Sequence, residues 1–488
     1  VTVITFRGDC MKLFLDEVTS KQRVSENMDK MNSFGGGDRL TGTRGQREFC
    51  AWLKSEIEAM GIPVTSREYT FDRWEARDFS LTVDGENIGV SSPFHYSGLT
   101  GEDGVTARLC TVCNNPLGFQ LARGKIAVCH IRNLSAISSR VAFNKRNSLP
   151  ADLAVEKSYR GPVSTSFVKT LLTFWSLKLA GVKGMVCIWE DMSDDMVDGQ
   201  CLNFILGYLG VPVLWVNETE GKKVLAAAKA GKSATLRLVG GIEKGAKTES
   251  FHAVIEGTEK NGEAIIINTH TDGCNFSEEN GGVAMLEMMR WFKVHPTRRT
   301  LIFVFVTGHF RLPVFRVGIM TSNQATGRWL ADNKEMWNGK KYKAVAGCSV
   351  EHLGCTEWKD RDGKYTRTND IDTELVYTGN RKVDAVYYEA VKDRTLLRTM
   401  TLRGHNTMHF GEGQPLSRKH IPEIALVTAP DYLCSFDRTG NSHMDKFNPG
   451  LMYEQMHTFV RCVELLDGMT RREIGRSQPY SVGLGRLK

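Results

Sequence analysis

The chain has 488 residues, 41% of them apolar and 24% charged, with 63 Lys and Arg against 56 Asp and Glu for a net charge of +7. That length carries two or three domains and an ample core, and the basic residues are spread without the runs that mark a nucleic-acid footprint, so nucleic acid is excluded as a partner and a mildly basic surface suited to an acidic substrate is left. The nearest apolar window, LLTFWSLKLAGVKGMVCIW, is broken by Lys178 and Lys183, so no uninterrupted apolar run reaches the roughly 18 residues of a membrane span and a membrane-spanning protein is not expected.

Residues 17 to 61 carry helical periodicity on either side of GGGDRLTGTRG, and EFCAWLKSEIEAMG ends in a glycine that suits a helix stop. VTSREYTFDRW and DFSLTVDGENIGV alternate as strands. From residue 101 the character changes to short strand-like runs, KIAVCHI, GMVCIW, VPVLWV and ATLRLVG, with helical pieces at SFVKTLLTFWSLKLAG and ETEGKKVLAAAKAG. Trp175, Trp189 and Trp215 fit core positions of this middle unit. After GGIEKGAKTES, four apolar strands (EAIIINTHT, TLIFVFVTG, KAVAGCSVE and PEIALVTAP) alternate with helices such as NGGVAMLEMMRWFKVH and KVDAVYYEAVKDRTLL. Continuous apolar strands between helices imply an α/β fold with a mostly parallel, doubly wound sheet covered on both faces.

Twelve cysteines lack framework spacing, and Cys110 and Cys113 form a lone C-x-x-C with no second pair, so a zinc ribbon is excluded and reduced thiols in a cytoplasm are expected. The first residues lack the order of a signal peptide. The sequon at Asn275 falls inside the loop of greatest interest, where a glycan would obstruct access.

In an open α/β sheet, ligands bind beyond the carboxyl ends of the strands. The first apolar strand delivers His270 and Asp272, with Glu278 and Glu279 before the next helix; the second delivers His309; the third delivers Glu351 and His352; the fourth runs into PDYLCSFDRTGNSHMD with Asp431, Asp437 and His443. Imidazoles and carboxylates from four strand ends suit zinc or another borderline divalent ion. Asp272, two residues from His270, reads as the group that orients its imidazole. His405 and His409 are four apart, but the glycines around them argue for a loop, and His420 reads as structural or substrate-facing.

These motifs resemble the co-catalytic zinc exopeptidases, the family of leucyl aminopeptidases, glutamate carboxypeptidases and glutaminyl cyclases. There a strand ends in H-x-D before a D-N-x-x-G helix start, the next strand ends in Glu-Glu, a third in Asp, and a late loop supplies His. HTD, ENGG, TLIFVFVTGHF and CSVEHLG fall in the same order. The resemblance implies a peptidase-like domain formed by residues 1–100 and 243–488. The resemblance also implies that residues 101–242 are an inserted, β-rich, protease-associated-like domain, expected to shape the entrance or mediate homodimer contacts. It implies His270, Glu279, Glu351 and His443 as metal ligands, with Glu278 the alternative to Glu279 and His352 a further candidate beside His443. His309 and Asp272 are implied as catalytic residues, His309 standing in the place of the general-base Glu and Phe310 in that of a carboxylate ligand.

Without that carboxylate one divalent ion is expected, zinc first, with iron or copper as alternatives. The expected activity is hydrolysis or acyl transfer at an amide or acyl bond of a small peptide or amino-acid conjugate, with His309 as base. Two further readings stay open. His309 is itself a ligand in a two-histidine, one-carboxylate redox site, or the scaffold binds a peptide and catalyses nothing. Arg311, Arg316, Arg403 and Arg418 are available to hold a substrate carboxylate.

Overall fold

Polar caps start the N-terminal helices where the periodicity places them. Ser20 accepts from the N–H of Arg23 before the helix Lys21–Ser33, and Thr43 from that of Gln46 before Arg44–Ala59. The structure, a computed structural model, describes residues 17–133, 144–153, 161–162, 173–201, 208–309, 325–406 and 409–480. Phe310, Arg311, Arg316 and the first part, 166–172, of the expected helix 166–181 lie outside the described residues, and the rest of that helix is two short turns, Phe174–Ser176 and Leu177–Ala180.

The strands in chain order are β1 (Val64–Val83), β2 (Glu86–Ile88), β3 (Ser92–Pro93), β4 (Val105–Thr111), β5 (Ile126–Arg132), β6 (Asn144–Leu149), β7 (Gly184–Glu190), β8 (Val213–Val216), β9 (Ser233–Ile255), β10 (Glu263–His270), β11 (Thr300–Val306), β12 (Lys343–Ser349), β13 (Thr356–Arg361), β14 (Lys364–Ile371), β15 (Glu374–Thr378), β16 (Thr399–Arg403) and β17 (Glu423–Leu426). All but β13 and β14, which pair with each other, join one mixed sheet ordered β3-β8-β7-β5-β4-β9-β11-β10-β12-β17-β15-β16-β6, with β1 laid along β9 and β2 paired to β1. Its centre, β11-β10-β12-β17, is parallel, and these strands are buried almost throughout, as their unbroken apolar runs require.

Two features depart from the sequence reading. The expected boundary at residue 242 falls inside one continuous strand: β9 runs through the glycine-rich stretch because β1 pairs with it along nearly its whole length and satisfies its backbone hydrogen bonds. Within 101–242, β6 lies far from its chain neighbours and pairs antiparallel with β16 at the opposite edge of the sheet. In the middle unit Trp189 and Trp215 stack in the core with ring centroids 4.4 Å apart, whereas Trp175 is exposed in a short helical turn.

The helix Gly281–Val294 is apolar on nearly all sides because it is wedged between the sheet and the helices Lys21–Ser33, Arg44–Ala59 and Pro449–Gly468. Gly281 makes that approach possible, since a Cβ there would sit 1.9 Å from the carbonyl oxygen of Val350 and 2.2 Å from Thr269 Oγ1. The start of this helix is thereby pressed against the ends of β10 and β12, which brings the acidic residues before it to the same rim as His270 and Glu351. No helix among the described residues is long and apolar enough to cross a membrane.

Candidate metal centre

Parallel pairing aligns His270, the last residue of β10, with Val306 at the end of β11, and Asn268 with Ser349 at the end of β12. His309 and Glu351 each follow within three residues of their strand ends, so side chains far apart in the chain meet at one buried point.

Three imidazoles are anchored in the same way. His270 Nδ1 donates to the carbonyl of Asp272 at 2.9 Å, His352 Nδ1 to the carbonyl of Thr428 at 2.8 Å, and His309 Nδ1 to Glu412 Oε1 at 2.6 Å. With the proton of the neutral ring on Nδ1, the Nε2 atoms of His270 and His352 are available to an ion. His270 Nε2 lies 3.4 Å from Glu351 Oε2; His352 Nε2 lies 3.9 Å from that same oxygen and 3.8 Å from Glu278 Oε2; His309 Nε2 lies 3.7 Å from Glu278 Oε1. These separations are too long for good hydrogen bonds. They approach the edges, about 3.3–3.6 Å, of a tetrahedron of N and O ligands around a zinc-sized ion. His270 Nε2, His352 Nε2 and Glu351 Oε2 are buried and have no hydrogen-bond partner among the described residues, a costly state that an ion at their centre relieves.

Among the described residues, two three-residue groups around His270 have ligand atoms close enough to share an ion, His270 with Glu278 and His352, and His270 with His309 and Glu351. Ring geometry separates them. His270 and His309 lie face to face, centroids 3.8 Å apart and planes within 6°, whereas His270 and His352 are 5.8 Å apart and inclined at 80°. An ion cannot lie in both of two parallel ring planes, so in this conformation His270 and His309 do not coordinate one ion together. The edge-on pair His270 and His352 can.

The other expected residues are placed as follows. Glu279 Oε1 pairs with the fully buried Arg39, which also donates to Met31 O, Asn32 Oδ1 and Ser442 Oγ, while Glu279 Oε2 is buried without a hydrogen-bond partner among the described residues and Glu279 belongs to neither three-residue group around His270. His443 Nε2 shares a hydrogen bond of 2.8 Å with Ser435 Oγ, in a separate and more open group with Asp437 and Asp445. Asp272 accepts from Thr41 Oγ1 and from the N–H groups of Gly308 and His309, at 2.8 and 3.1 Å for the two amides, and so ties the end of β11 to β10. His405 packs against Tyr480 and His409 against Tyr377. Asn275 Nδ2 donates to the carbonyls of Tyr432, Leu433 and Ser435, so the sequon is buried as a loop clamp. All eleven cysteines among the described residues are free thiols.

Glu412, Arg39 and Thr41 were not legible as site residues. Glu412 follows no strand. Its loop reaches the site because Gly411 adopts φ +75° where a Cβ would sit 2.6 Å from Glu351 Oε1, and the N–H of Glu412 donates to that oxygen at 2.7 Å. Burial raises the Glu412 pKa, but the hydrogen bond and charge of His309, the charge of His270 and the Thr326 N–H outweigh it and hold the carboxyl at about 2.

The cluster is electronegative. Burial disfavours charge on His270, yet Glu351, then Glu278 and Asp272, push its pKa up to about 10. Burial, opposed by His270 and reinforced by Glu279, Glu351 and Asp272, raises Glu278 to about 8. His352 is driven well below the usual imidazole range by burial and by its two imidazole neighbours, which suits a neutral ligand. Because the neighbouring carboxylates raise both Glu278 and His270, with burial adding to the rise of Glu278, an ion entering the site would compete with protons there, so affinity is expected to rise with pH through about 8 and on toward about 10, and binding to release protons. Calorimetric titration with zinc in buffers of different ionisation enthalpy measures the number released, and release of none would contradict the ligand set.

No family model and no curated protein matches the chain. Among solved structures it is similar to the aminopeptidase from Aneurinibacillus sp. strain AM-1, with a TM-score of 0.59 at 15% identity over 97% of this chain and 98% of that one. It is also similar to BSAP, a zinc aminopeptidase from Bacillus subtilis, with a TM-score of 0.62 at 14% identity over 93% and 98%, and to a peptidase M28 precursor from Shewanella amazonensis SB2B, with a TM-score of 0.58 at 12% identity over 92% and 97%. The chain therefore shares the fold of these peptidases along nearly its whole length.

Proposed function

We propose that the protein is a metal-dependent hydrolase acting on an amide or acyl bond of a small peptide or amino-acid conjugate. In this reading one divalent ion, zinc first, is held by His270, Glu278, Glu351 and His352, with His309 as the base. The observation that carries it is the convergence of the buried, unpartnered His270 Nε2, His352 Nε2 and Glu351 Oε2 with the Glu278 carboxylate at 3.4 to 3.9 Å. The likeness in fold to zinc aminopeptidases supports the choice of reaction. Zinc in such a site supplies Lewis acidity toward a carbonyl and acidifies water toward about pKa 7.

The chain's own residues do the rest. His309 presents Nε2 beside Glu278 while its Nδ1–H is held by the ionised Glu412. That carboxylate fixes the tautomer and stabilises the imidazolium formed when Nε2 takes a proton from water. Asp272 grips the N–H groups of Gly308 and His309, so the turn carrying the base moves with the strand carrying His270.

His309→Ala is expected to keep its metal and lose about 10²- to 10⁴-fold in kcat, read on a panel of aminoacyl amides with metal content measured alongside. Full activity in that variant with metal bound would remove His309 from the mechanism. The two imidazoles and two carboxylates would also suit iron. Stoichiometric iron or copper in protein purified without added metal would favour redox chemistry over hydrolysis.

A further inference from the structure

At the far edge of the sheet, where β6 pairs with β16, the start of the helix Arg381–Ala390 and the segment 474–478 close a cavity of about 1020 Å³. Six cationic side chains line it: Lys145, Arg146, Arg381, Lys382, Arg403 and Arg476. None of the six forms an ion pair among the described residues, although ion pairs are frequent elsewhere on the molecule. Where these cations do bond, the acceptors are neutral carbonyls: Lys145 Nζ to Leu153 O at 2.6 Å, Arg146 Nη2 to Thr378 O at 3.3 Å, Lys382 Nζ to Arg472 O at 3.3 Å and Arg403 Nε to Gln478 O at 2.8 Å. Arg146 Nε is buried without a partner.

The one carboxylate in the lining, Asp384, is occupied by Thr378 Oγ1 at 2.9 Å and Asn147 Nδ2 at 2.7 Å. Burial lowers the pKa of Arg146, and Arg403 and Arg381 push the same way against Asp384 and Glu423. The helix beginning at Arg381 adds the positive end of its dipole to the same space. Holding six like charges together uncompensated is unfavourable unless something anionic neutralises them, and guanidinium forks match phosphate oxygens in geometry.

We propose that this cavity binds a small molecule carrying two or more phosphate groups. The six cations exceed what one phosphate can contact, and the volume admits a chain of several phosphates. None of the lining residues belongs to the metal centre, so the inference does not depend on the proposed function.

Isothermal titration with inorganic tripolyphosphate tests it on the full chain. Saturable binding at one site is expected, weakening as salt rises. Arg381→Glu with Arg476→Glu, both exposed positions, is expected to weaken binding by more than about tenfold through loss of charge-assisted contacts. The control, Arg77→Glu with Arg108→Glu, makes the same change in net charge elsewhere on the surface and is expected to bind as the unaltered protein does. Chelation at the metal centre contributes equally in all three proteins and cancels. Absence of saturable binding, equal loss in both double variants, or a single-stranded DNA oligonucleotide binding more tightly than tripolyphosphate would each overturn the proposal.

Discussion

His352→Ala is expected to yield a folded protein that no longer retains a metal ion after dialysis and has no measurable hydrolytic activity. The ring of His352 is inclined at 80° to that of His270, and its Nε2 sits between Glu278 and Glu351. Removing it leaves only one imidazole correctly disposed, because His309 lies parallel to His270 and cannot replace it without rotating. Loss of an outer-shell partner alone lowers metal affinity about 10- to 100-fold, and loss of a ligand is expected to exceed that. The residue holds a left-handed backbone, φ 58°, so His352→Asn is the companion variant: asparagine tolerates that conformation but offers no imidazole. Metal content and circular dichroism of both variants separate loss of the ion from loss of the fold. Normal metal stoichiometry in both would remove His352 from the site.

The second large effect is expected at Arg39. Its guanidinium and the Glu279 carboxylate are both fully buried, and the same guanidinium holds Met31 O, Asn32 Oδ1 and Ser442 Oγ. Arg39→Met leaves Glu279 without its counter-charge; burial already raises that carboxyl to about 7 against the pull of Arg39. Stability is expected to fall by about 3–5 kcal/mol, the usual consequence of breaking a buried pair on one side. Adding Glu279→Leu is expected to restore most of the loss, since an apolar pair of similar volume is often neutral or better. Urea unfolding of the single and double variants measures both. The double variant also decides what Glu279 does: retained zinc binding makes it structural, whereas lost binding would make it a ligand.

Several elements of this molecule are readable from composition and order. The runs EAIIINTHT, TLIFVFVTG and KAVAGCSVE are buried parallel strands because nothing but a covered sheet accommodates such sequences, and the rule that ligands gather beyond strand ends places His270, His309 and Glu351 together. The choice between Glu278 and Glu279 is not readable. Adjacent carboxylates point in different directions, and which one turns inward depends on Arg39, more than two hundred residues earlier in the chain. His352 is masked in the same way, because its orientation is set by the carbonyl of Thr428 at the end of another strand.

Glu412 carries no local signal at all, since its loop enters through a positive-φ glycine and not from a strand end. His443 looks equivalent to the other histidines in sequence but is engaged by Ser435 and Asp437. The strand through the glycine-rich stretch before residue 250 is hidden behind the boundary expected at 242, because its pairing with β1 is a long-range property.

The most direct measurement is a crystal structure of the zinc-loaded protein with anomalous data collected at the zinc edge. The account predicts one strong peak at the end of β10, within coordinating distance, about 2.0–2.2 Å, of His270 Nε2, His352 Nε2 and oxygens of Glu278 and Glu351, with His309 beside it and Glu279 still on Arg39. A peak seated only among Asp437, His443 and Asp445, or one that draws Glu279 away from Arg39, would contradict it.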